Sequence, residues 1–321
     1  MAELSAPEKE LRGVSLRIGI ILIVNMLLLL SLLGIPGELE LAITGGAVAP
    51  TDTEYALLQT LYGVLYMLSF MAPVLLYRVI TPLKLREPMR LAPRGSIDTV
   101  LAVTAGIGIV FSVSSLGAFI TSFVDFSGLY AESPDTPVAL CMDFAVVCIV
   151  PAVCEEFLFR GCVLSNLLPF GKTNAVIASA LMFALMHGNI KQFLYAFCAG
   201  IVLGMIYTES GSIVPGMLMH FCNNFFDLCE SKLYSMYGAR GEAVYLIMEL
   251  CIMAAALASA ALLIYRRHGN AVQESRALPT RTVVLPATAK SFRLFLSPTV
   301  LISMGISAFE AISTVFAAFL M

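Results

Sequence analysis

The chain has 321 residues, of which 59% are hydrophobic and only 13% charged, with a mean hydropathy of +0.89. An ordinary globular chain carries about 25% charged residues, so this one could not cover itself in water, and its solvent must be lipid. The formal net charge of -3 implies no nucleic-acid partner.

Apolar runs of roughly 17–25 residues can cross a bilayer as helices. In chain order they fall at about 15–35, 55–79, 98–122, 138–165, 173–188, 191–208, 212–230, 243–265 and 297–321. The pattern predicts an all-α, polytopic transmembrane helical bundle of eight to nine spans. Lys9, Arg12 and Arg17 precede the first run as in a signal peptide. That run is too long for an h-region, so a retained anchor is expected. The fifth and sixth runs are short and joined at His187-Gly188-Asn189, and the last carries only Glu310. The eight cysteines form no CxxC pair and nearly all fall inside apolar runs, so buried, unpaired thiols are expected.

Orientation follows from basic residues. With a cytoplasmic N-terminus, the inside segments 1–17, 78–97, 166–172, 209–211 and 266–296 hold fifteen of the nineteen Lys and Arg. The opposite connections 36–54 and 123–137 hold Glu38, Glu40, Asp52, Asp125, Glu132 and Asp135, with no Lys or Arg. The positive-inside rule then predicts an N-in protein whose ninth span ends outside. The long basic 266–296 segment is adequately read as an electrostatic contact with anionic lipid.

The fourth run carries charges that lipid disfavours. It reads Val150-Pro-Ala-Val-Cys-Glu155-Glu156-Phe-Leu-Phe-Arg160-Gly161. Each charge at a helix centre costs about 2.5–3.5 kcal/mol on insertion scales, so these three must pair, neutralise or line a wet cavity. Glu156 and Arg160 stand at i,i+4 and can pair within the helix. Glu155 lies about 100° round and is left to point elsewhere. Pro151 would loosen the helix one turn upstream. Of three histidines, His268 follows Arg266-Arg267 at a membrane edge and reads as solvated. His187 closes the fifth run, and His220, Asn224 and Asp227 share a stripe of the seventh. One intramembrane His is more often structural. Two of them with an unpaired Glu point to a shared polar site. Gly200 and Gly204 allow close helix packing, and Thr208–Ser212 makes a tight turn before Pro215 restarts the seventh helix.

Taken together, Glu155-Glu156-x-x-x-Arg160, Phe183-x-x-x-His187 and His220-x-x-x-Asn224 resemble the CPBP family of intramembrane proteases, the type II CAAX prenyl endopeptidases or Abi proteins. Gly200-x-x-x-Gly204-x-x-Tyr207 and Gly211-Ser212-Ile213 are similar to the stretch before that family's third motif. The likeness covers about 140–230. It divides the chain into N-terminal helices over 1–135, a catalytic core over 136–232 and C-terminal helices with their basic loop over 233–321. The resemblance implies an integral protein of the cell membrane that hydrolyses a peptide bond of a membrane-associated peptide or protein. Glu155 would be the general base, His187 would position the water, and His220 and Asn224 would stabilise the oxyanion. Glu156 and Arg160 would be the supporting pair.

Water is a poor nucleophile, and a carboxylate in an apolar site can be tuned to take its proton. The family is often described as metalloproteases, and Glu155, His187 and His220 would supply three zinc ligands and an open position. There is no contiguous HExxH helix. A metal-free mechanism uses the same residues, and the present reading leans to it. Two other classes fit an intramembrane polar site. A proton-coupled transporter would spread ionisable groups over both halves, and here the first three spans hold almost none. A non-catalytic immunity protein would not need the motifs intact.

Overall fold

A computed structural model describes residues 5–32, 50–81, 97–121, 133–188, 190–269 and 295–320, with the isolated residues Ile35 and Leu39. The rest of the 36–49 connection, residues 123–132, Asn189, the 270–294 part of the basic segment and the side chain of His268 lie outside the described residues. Every regular element among the described residues is a helix. They are α1 (Ala6–Leu32), α2 (Asp52–Ile80), α3 (Ile97–Thr121), α4 (the continuous run Pro137–Phe170), α5 (Lys172–Met186), α6 (Ile190–Ser210), α7 (Val214–Tyr237), α8 (Ala239–Gly269) and α9 (Pro298–Leu320).

Six of these, α1, α2, α3, α4, α6 and α8, are long and apolar enough to cross a bilayer. Helices α5 and α9 are shorter apolar segments. Helix α7 has ample length but carries His220, Asn223, Asn224, Asp227, Glu230 and Lys232. It can sit in a membrane only by turning that polar side toward protein or a wet cavity. The protein is an integral membrane helical bundle. Its outer surface agrees, since Leu57, Leu75, Val79, Ile247, Leu257 and Phe309 are all exposed, as lipid-facing residues must be.

The bundle pairs some helices adjacent in sequence and others far apart in it. Helix α5 packs on α6, α1 lies between α2 and α9, and α3 packs against α6 and α8. Helix α8 is the most peripheral of the six long apolar helices, with only 6% of its apolar window buried. The two glycines of α6 do what their spacing predicts. A Cβ on Gly200 would lie 2.9 Å from Ala180 Cα, and one on Gly204 would lie 3.1 Å from Val176 Cγ1. Helix α1 is seamed to the start of α9 by Ser15 Oγ, which donates to the Phe295 carbonyl at 2.8 Å, and by Ser297 Oγ, which donates to the Ser15 carbonyl at 2.9 Å.

Cysteine placement corrects one expectation. All eight are unpaired, but only Cys148, Cys154 and Cys162 are buried, while Cys141 and Cys251 are exposed on the bundle surface. An apolar run fixes that a thiol meets hydrocarbon; it does not fix whether protein or lipid supplies it.

Candidate active site

Helix α4 is irregular on both sides of its carboxylates. Phe144–Ile149 and Phe157–Leu164 are π-helical, and they flank the α-helical turns Val150–Glu156. Such wide turns concentrate at functional sites because they re-aim side chains without breaking the helix. Pro151 gives the upstream one a cause. It has no N–H to offer the carbonyl four residues earlier, that of Val147. Asn224 Nδ2 of α7 donates to that carbonyl at 3.0 Å.

The charged residues separate into a buried support and a group facing a cavity. Glu156 and Arg160 form the intrahelical pair, Arg160 Nη1 donating to Glu156 Oε1 at 2.8 Å with both side chains fully buried. Arg160 Nη2 also donates to the Gly200 carbonyl at 3.3 Å, and its guanidinium lies 4.6 Å from the centre of the Phe183 ring. A buried pair needs such extra partners, because desolvation rivals its attraction. Gly216 keeps α7 close, since a Cβ there would lie 3.0 Å from Glu156 Oε2.

Glu155 points elsewhere, as its helical phase predicts. Tyr66 of α2 donates to its Oε1 at 2.5 Å. Its Oε2 is buried without a hydrogen-bond partner and lies 3.9 Å from His220 Nε2. The other ring nitrogen, His220 Nδ1, is 3.3 Å from Glu156 Oε1. His220 therefore stands between the two carboxylates. His187 caps α5: its Nδ1–H donates to the Phe183 carbonyl at 2.9 Å, which satisfies one of the orphan carbonyls of a helix end and leaves Nε2 as an acceptor. Phe183 meets the rings of His187 and His220 edge to face at 4.9 and 5.9 Å.

These groups line a cavity of about 360 Å³. Glu155, His187, His220 and Asn224 all contribute to its wall, whereas Glu156 and Arg160 lie outside it. Sequence reasoning missed several wall residues: Tyr62, Tyr66, Gln192, Tyr195 and Asn223. Tyr62, Tyr66 and Phe70 stack at i,i+4 spacing with ring centres 6.1 and 4.8 Å apart, so the hydroxyl on Glu155 belongs to a stiff aromatic ladder. The i,i+4 spacing was visible; the partner 89 residues away was not. Gly188, at φ +56°, has no room for a side chain, because a Cβ would meet the Glu310 carboxylate of α9 at 2.6 Å. The turn after His187 is thereby seated on α9.

A zinc ion fits this arrangement poorly. Both histidines have Nδ1 turned to an oxygen, as metal ligands usually do. Yet among the described residues no three His, Cys, Asp or Glu side chains converge within reach of one ion, so Glu155, His187 and His220 do not form a ready ligand set.

Comparison with known proteins agrees with the motif region. Residues 137–226 match the family model described as type II CAAX prenyl endopeptidase Rce1-like. The chain is 26% identical over 204 residues to the Bacillus subtilis (strain 168) protein named "Putative membrane peptidase YdiL", covering 61% of this chain and 81% of that one. No solved structure matches.

Proposed function

We propose, from the premise that the 137–226 segment belongs to the type II CAAX prenyl endopeptidase family of CPBP intramembrane proteases, that this protein is a membrane endopeptidase in which Glu155 activates water. The observation that carries this reading is the bare Glu155 Oε2 facing His220 Nε2 across 3.9 Å. That gap is too long for a direct hydrogen bond and suits one water touching both.

In the mechanism, Tyr66 holds one oxygen of Glu155 and leaves the other to take a proton from water. His187 Nε2 accepts the second water hydrogen and so fixes its direction. The water oxygen attacks the scissile carbonyl, and the negative charge moves to the carbonyl oxygen. His220 is held at Nδ1 by Glu156 Oε1, and its Nε2–H donates to the oxyanion. Asn224, anchored on the Val147 carbonyl, offers its second N–H to the same oxygen. Donors fixed in advance act strongly where water is excluded. When the carbon–nitrogen bond breaks, Glu155 returns its proton to the leaving amine. Glu156 and Arg160 only hold His220 in place. No step uses a metal, and full activity is expected after exhaustive chelation; activity restored only by added zinc would reverse that part.

The substrate is a membrane-associated peptide or protein, and the cell membrane is the proposed location. The test is Glu155→Gln, compared with the parent by mass spectrometry of membrane peptides and by thermal melting of the purified proteins. Cleavage products are expected to fall by about 100- to 10,000-fold, with melting unchanged. Retained cleavage by a folded variant would remove Glu155 as the base.

A further inference from the structure

We infer that the cavity takes its substrate from the extracytoplasmic side of the membrane, so that the cleaved segment belongs to an exported or membrane protein rather than to a cytoplasmic tail. This rests on the reading of the cavity as the hydrolytic site, and it adds the side from which that site is reached.

Polar contacts sort the helix ends into two faces. On one face, Arg266 at the end of α8 pairs with Asp98 at the start of α3 at 2.6 Å, and Arg267 pairs with Glu209 at the end of α6. On the other, Thr136 before α4 donates to Asp52 at the start of α2 at 2.7 Å. Lys232, late in α7, donates there to Ser133 and the Pro134 carbonyl and faces Asp143 and Asp135.

The sequence gives these faces opposite charge. Arg78, Lys84, Arg86, Arg90 and Arg94 fall in sequence from the end of α2 to the start of α3, and six more Lys and Arg fall at 266–296, from the end of α8 onward. The sequence between α1 and α2 and between α3 and α4, 36–54 and 123–137, has seven acids and no Lys or Arg. The second face's own cations are Lys191, Lys232 and Arg240, and Lys232 is locked among acids. The first face is the cytoplasmic one by the positive-inside rule.

Most of the cavity wall lies in the half of the bundle toward the second face, with Leu203 of α6 and Met219 and His220 of α7 reaching past mid-bundle. The wall takes Tyr62 and Tyr66 from the first half of α2, and Val147 and Pro151 from the part of α4 preceding Glu155. It also takes His187, at the very end of α5, and Gln192, the third residue of α6. Toward the first face α4 is sealed, because Leu158, Phe159, Arg160, Cys162, Val163 and Leu164 are 0–1% exposed. A segment arriving from the basic face would have to pass through that packed layer.

The experiment places a cysteine at the wall, Gln192→Cys, in a Cys141→Ser, Cys251→Ser background. A membrane-impermeant maleimide is applied to right-side-out and inverted vesicles. Extra labelling over the parent is expected in right-side-out vesicles only. Reporter fusions at 86 and 127 check the faces without any change of cysteine, with fluorescent protein active at the first and alkaline phosphatase at the second. An impermeant fluorogenic peptide carrying a cleavage site mapped in cells is then expected to be cut in right-side-out vesicles alone. Labelling or cleavage confined to inverted vesicles, or the reverse fusion pattern, would overturn the inference. Labelling from outside with no cleavage in either orientation would uphold the side of access and sink the hydrolase reading instead.

Discussion

Two buried charge clusters in this protein have opposite characters. Around Asp143 every oxygen is occupied: Tyr55 donates to Oδ1 at 2.5 Å, and Ser133 donates to Oδ2 at 2.8 Å with Lys232 alongside at 3.5 Å. Lys232 in turn donates to Ser133 Oγ at 2.6 Å and to the Pro134 carbonyl at 2.8 Å. Around Glu155 and Glu156, each carboxylate keeps one buried oxygen without a partner, and the bare oxygen of Glu155 belongs to a group on the wall of a cavity. A cluster that only joins helices can saturate its polar groups, because leaving one unmade costs more than the bond gains. An unsatisfied carboxylate beside a cavity and two imidazoles is the arrangement that chemistry needs.

The contrast can be broken by removing one charge from each cluster. Arg160→Met leaves Glu156 buried with the longer contact to His220 Nδ1 in place of its guanidinium partner, and about 3–5 kcal/mol of stability should be lost. This should appear as a large drop in melting temperature in detergent, with cleavage lost as well because His220 loses its support. Lys232→Met exposes Asp143 to a similar penalty, of the same order or less because Ser133 and Tyr55 remain. Here cleavage per folded molecule should be unchanged. If Lys232→Met abolished turnover while melting stayed at the parent value, the division into a joining cluster and a working cluster would be wrong.

Smaller changes sharpen it. Tyr66→Phe removes one charged hydrogen bond, worth about 1.5–3 kcal/mol, so kcat should fall about ten- to hundredfold with the fold retained. No effect would show that Tyr66 only packs. Gly216→Ala puts a methyl 3.0 Å from Glu156 Oε2. Overpacking of this kind costs about 1–3 kcal/mol, and a modest fall in melting temperature is the expected reading.

What was legible in the sequence is what local geometry determines. The Glu156–Arg160 pair and the separate aim of Glu155 follow from helical phase, and the close packing of α6 follows from Gly200 and Gly204. The gathering of Glu155, His187, His220 and Asn224 round one cavity was anticipated from motifs whose members lie on separate helices. Tyr66 was not, because a tyrosine in an apolar span gives no sign of its distant partner. The bond from Asn224 to the Val147 carbonyl was equally hidden, since it depends on which helix packs beside the carbonyl that Pro151 frees. The polar character of α7 was written in His220, Asn223, Asn224 and Asp227, yet whether α7 crosses as a full span is decided by what covers that side.

The central claim is that water, activated by Glu155, attacks the peptide bond directly. Single-turnover cleavage in ¹⁸O-labelled water, with the protein in excess over substrate, tests this most directly. One ¹⁸O should appear in the new C-terminal carboxylate of the product, and intact-protein mass measured during the turnover should show no covalent adduct. An acyl-protein species on a serine or cysteine, trapped before label enters the product, would contradict the account.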